Sequence, residues 1–113
     1  MNDDNKTIPE ALTGTYLLCV ALLLITCRDM QIQQHKPSAT RWIKSDDDHI
    51  TSFRCCLHLI NEFLTYTNIS ERLTEEKVRS LILSDPGKAY DALNLLHLKI
   101  RGKDFNSRTE FNH

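Results

Sequence analysis

Residues 16–27 read YLLCVALLLITC, and no other stretch of the chain is as free of polar side chains. Whether this run crosses a membrane or forms the centre of a soluble domain decides the fold. Between Glu10 and Arg28 there are 17 residues without a charge, at the lower limit for a hydrocarbon layer about 30 Å thick. The segment opens weakly on Thr13, Gly14 and Thr15, so only the ten residues from Tyr16 to Ile25 are apolar without a break. That is the length of a core helix. No Trp anchors either end, although Arg28, Lys36, Arg41 and Lys44 on one side against Lys6 on the other meet the positive-inside bias. A secretory signal needs a basic start and a small-residue cleavage site, whereas this chain begins MNDDNK and leaves the run through Thr26, Cys27, Arg28 and Asp29. The expectation is a buried helix in a soluble, cytoplasmic protein, with a single membrane span over about 11–27 as the alternative. A helix apolar all round has to be enclosed by other elements.

Composition agrees with a helical domain. The chain has 113 residues, 41% hydrophobic and 26% charged, enough for one core without a disulfide or metal staple. Three Gly and three Pro are few for an all-β chain that must turn often. Lys and Arg number 14 against 15 Asp and Glu, so no global field draws nucleic acid or an anionic membrane. Cys19, Cys27, Cys55 and Cys56 form no CxxC pair and read as free thiols in a reducing compartment. The glycosylation triplets at Asn5 and Asn68 matter only in a secreted chain.

Working outward from the apolar run, Thr7 and Glu10 form a capping box with Pro9 in the first turn, and Pro37 stops the helix, giving a first helix near 8–36. PSATRWIK, 37–44, reads as a loop carrying the only Trp. Ser45 with Asp48 predicts the cap of a second helix near 45–67, whose apolar face is Ile50, Phe53, Leu57, Ile60 and Leu64, widened by Cys56, Phe63 and Tyr66. A third helix near 72–84 carries Val78, Leu81 and Ile82. Asp85 and Pro86 open a fourth near 86–101, with Tyr90, Leu93, Leu96 and Ile100 inward and Gly102 at its end. The expected fold is all-α: a compact bundle of about four helices over 1–102 with an apolar, central first helix, and a polar tail over 103–113. There is no internal repeat.

Chemical signatures are sparse. Cys55, His58 and Glu62 share one stripe of the second helix, but no usual zinc spacing supplies a fourth ligand. The aspartates of SDDDH suit the positive end of a helix, and they lack the glycine and terminal Glu of a calcium loop. SDPG, 84–87, has the length of a helix-turn-helix connection, yet the helix after it, KAYDALNLLHLKIR, offers base edges mostly Leu and Ala. Lys99, Arg101, Lys103 and Arg108 fit the negative end of a helix as readily as phosphate. No GxSxG, HExxH or phosphate-cradling glycine loop is present. The sequence therefore predicts a non-enzymatic module without cofactor or metal, binding a protein partner or a second copy as a homodimer. It would act as a regulator, inhibitor or adaptor. A helix-turn-helix-like DNA-binding regulator is a further alternative. Trp42, Phe53, Phe63 and Tyr66 are the candidate partner anchors, since large aromatics dominate interface energies.

Overall fold

The computed structural model describes residues 10–47, 49 and 51–112, and the side chains of 11–47, 49 and 51–101. Among these residues there are five α-helices and no strand: α1 Glu10–Asp29, α2 Lys36–Lys44, α3 Phe53–Tyr66, α4 Glu75–Ser84 and α5 Pro86–Asn112. Thr7, Asp48 and Ile50, and the side chains of Lys103, Phe105, Arg108 and Phe111, lie outside the described residues, and with them the expected first capping box and half of the second.

The additional helix comes from residues 37–44. After Asp29 the chain turns, with the Gln31 and Ile32 amides donating to the Arg28 and Asp29 carbonyls, and α2 begins at Lys36. Pro37 stands in the first turn of α2, where its missing N–H leaves no gap in the helical ladder. It opens a helix and does not end one. Ala39 and Ile43 are the buried side of α2, and the Thr40 hydroxyl meets Met30 Sδ across the turn at 3.4 Å.

Three caps place the remaining helices. The α3 cap is Ser52, whose Oγ accepts the Cys55 amide at 3.2 Å; Ser45 instead follows the end of α2 and accepts the Asp47 amide. Thr74 caps α4 by accepting the Lys77 amide. Asp85 caps α5 by accepting the Lys88 amide at 3.1 Å, with Pro86 at the first helical position. At the end of α3, Asn68 adopts a left-handed φ of 60°. The Ile69 amide then reaches the Leu64 carbonyl and the Asn68 amide the Thr65 carbonyl, a Schellman closure with Ile69 buried beneath it. Gly102, the expected end of the last helix, is inside α5, which continues to Asn112.

The core is shared by α1, α3 and α5, with α4 packed on α5 and α2 touching α1, α3 and α4. From α1 come Tyr16, Cys19, Val20, Leu23 and Cys27, and from α3 Phe53, Cys56, Leu57, Ile60, Phe63 and Leu64, all buried. Tyr16 stacks on Phe63 with ring centroids 4.1 Å apart. Side chains also tie loops and ends to this core. The Asn61 amide donates to the Leu73 carbonyl and accepts the Leu73 N–H, both at 2.8 Å. Arg79 Nε donates to the Ile43 carbonyl near the end of α2 at 2.8 Å, with its guanidinium 5.1 Å from the Phe53 ring centre.

Candidate interaction surface

The inward residues of α1, Tyr16, Cys19, Val20, Leu23 and Cys27, recur at the spacing of one helical face. Two residues earlier the same spacing picks out Gly14, Leu17, Leu18, Ala21 and Ile25. A shift of two positions turns a helix by about 200°, so this second set lies on the opposite side. All five are exposed, with Leu17, Leu18 and Ile25 at 47, 50 and 51%. The helix expected to be wholly enclosed is thus covered on one side, and its outer face is an uncharged stripe from Ala11 to Ile25. A Cβ added to Gly14 would meet nothing within 4 Å, so the stripe is open at that position.

The four aromatic anchors fall in different environments. Phe53 and Phe63 are core residues, 0 and 5% exposed, and they hold α3 against Trp42, Arg79 and Tyr16. As core rings they reach no partner unless the fold opens. Trp42 lies on α2, partly buried, edge-on to Phe53 at 5.7 Å, with its Nε1–H donating to the Thr51 carbonyl at 2.8 Å. Tyr66, 54% exposed at the end of α3, is the one anchor whose ring is largely free. The outer α1 residues were not among the four, because ring size alone does not say which face a helix buries.

Under α1 the described residues enclose an apolar crevice between Tyr16, Val20, Leu23, Ile60, Leu93, Leu96 and His97, with room for about one water. Known small-molecule sites are far larger, at roughly 300 Å³ or more. His97 meets the Tyr16 hydroxyl at 2.9 Å, and burial first, then the nearby Arg101 charge, hold its imidazole below the ordinary value. Burial pushes the Tyr16 phenol up. Cys55, His58 and Glu62 remain on the outer side of α3, where His58 Nε2 and Glu62 Oε2 are 3.9 Å apart. No group of three metal-ligating side chains converges among the described residues. The start of α5 presents Lys88 and Asp91 together, followed by exposed Leu95 and Leu98. No family model, curated protein or solved structure matches the chain.

Proposed function

We propose that the chain is a small helical interaction module that works by binding, as a regulator, inhibitor or adaptor of a protein partner, in the cytoplasm and without catalysis or cofactor. The working unit is a single helical domain over 1–102 organised around α1, with 103–113 as a polar tail. One observation carries this reading: the outer face of α1 is an uninterrupted apolar stripe. Full burial of a Leu or Ile is worth about 1.5–3 kcal/mol, so three half-exposed side chains offer roughly 3 kcal/mol. Association costs at least about 4 kcal/mol in lost freedom. The stripe alone does not offset that cost, so a partner adds apolar surface of its own, and Tyr66 is available as a further anchor. The test is Leu17→Ser/Leu18→Ser, assayed by light scattering, partner capture and thermal melting. The expected outcome is lost association with an unchanged Tm. A wild type that is monomeric and captures nothing would overturn the proposal.

A membrane span is the second reading, favoured by one fact: Ala11–Asp29 has a mean hydropathy of 1.8 and is long and apolar enough to cross a bilayer. What favours the bundle is that withdrawing α1 would bare Cys56, Ile60 and Phe63. Recovery only in a carbonate-resistant membrane fraction would decide for the span, and solubility without detergent for the bundle.

A further inference from the structure

We infer that the occupant of the α1 stripe is the α1 of a second copy, laid antiparallel about a two-fold axis between residues 19 and 20. The inference rests on the reading of the stripe as a contact surface and adds the identity of what covers it. Gly14, Leu18, Ala21 and Ile25 are separated by four, three and four residues, the alternation that keeps side chains on one line of contact between two helices. Antiparallel pairing about that axis sets Leu18 level with Ala21 of the second copy, and Gly14 level with Ile25. Along this line each large side chain then faces a small one, and the pairing repeats itself by symmetry, as a closed dimer requires. A parallel pair would set Leu18 against Leu18 and Gly14 against Gly14, alternating crowding with voids.

Charge selects the same arrangement. No charge interrupts 11–27, and the antiparallel register brings Arg28 of each copy level with the Glu10 end of the other, whereas parallel pairing sets like against like. The two helix dipoles also oppose. Gly14 to Ile25 spans only about 16 Å of helix, a contact at the small end of known interfaces. Two such stripes offer about twice what one does, only narrowly above the least cost of association, so the dimer is weak and reversible, with a Kd on the order of millimolar.

The experiment is sedimentation equilibrium on the full chain, wild type beside Ala21→Leu, Leu18→Ala and the double variant that exchanges the two sizes. All three changes point outward, and the Tm of each checks that the fold is kept. Each single change is expected to weaken the dimer about tenfold or more, and the exchange to restore it to within about threefold. A double variant as weak as either single one would overturn the antiparallel register. A wild type monomeric to about 3 mM, above a millimolar Kd, would overturn the second copy as occupant. In that event loss of capture of another protein by Leu18→Ala would leave the interaction module standing, and unaltered capture would remove both.

Discussion

The Tyr16 hydroxyl lies 2.9 Å from His97 Nδ1, linking the first half of α1 to the first half of α5 across 81 residues of sequence. The same ring is stacked on Phe63, so one side chain joins the three helices of the core. Neutral His97 accepts this bond in its Nε2–H tautomer and donates it in its Nδ1–H tautomer.

His97 thus makes stability depend on pH. Its folded pKa is held below the ordinary 6.5, so the unfolded chain takes up the proton first. The contribution is whole above about pH 6.5 and is lost as pH falls through the lower folded value. Melting temperature should fall between pH 7 and 5, and His97→Gln should flatten that part of the profile. An identical slope in the variant would exclude His97 as its source. At pH 7, Tyr16→Phe keeps the stack and removes the hydrogen bond, with an expected loss of about 1 kcal/mol in a urea melt.

Asn61 holds the segment before α4 by pairing both polar groups of Leu73. Asn61→Ala leaves that N–H and carbonyl without their partner, for an expected loss of about 1–3 kcal/mol by chemical denaturation. Asn61→Asp should be milder, since a carboxylate still accepts from the N–H. Equal stability of wild type and Asn61→Ala would show that the segment is held by other contacts.

The thiols report directly on where α1 sits. Cys19, Cys27 and Cys56 are buried and Cys55 is partly exposed. Burial pushes Cys27 up to about 11, and the neighbouring thiols of Cys19 and Cys56 move in opposite directions, Cys19 held down by its contact with Cys56 and Cys56 pushed up by its contact with Cys19. Maleimide at neutral pH should modify Cys55 first, and the other three only as the protein unfolds. Rapid labelling of Cys19 or Cys27 in the native protein would mean that α1 is not packed in the bundle.

Much of the architecture is legible in single residues. Asp85 caps a helix where the sequence places it, because a side-chain acceptor three residues ahead of a free amide is a local device. Competing local signals are harder: Ser45 and Ser52 are both fit to cap, and the chain uses Ser52 because Ser45 is taken up at the end of α2. Pro37 is equally compatible with stopping a helix and starting one. Side chains that reach distant backbone, Asn61 to Leu73 and Arg79 to Ile43, leave no periodic trace. The exposed face of α1 is the hardest case, since both faces of the helix carry apolar residues at the same spacing. Tyr16, whose hydroxyl needs a partner, is the residue that marks the inner one.

Helix α1 has two unlike faces, one holding the bundle and one apolar but exposed. Thermal unfolding of Leu23→Asp beside Leu18→Asp in detergent-free buffer tests it most directly. Leu23 is 0% and Leu18 50% exposed, so a carboxylate at 23 enters the core at a cost of several kcal/mol, comparable with the whole stability of a domain, while one at 18 meets water. The expected result is loss of the cooperative transition in Leu23→Asp, with Leu18→Asp melting within about 2 °C of wild type, less than 1 kcal/mol for a domain of this size. Equal destabilisation by the two, or a Leu23→Asp variant that melts like wild type, would contradict it.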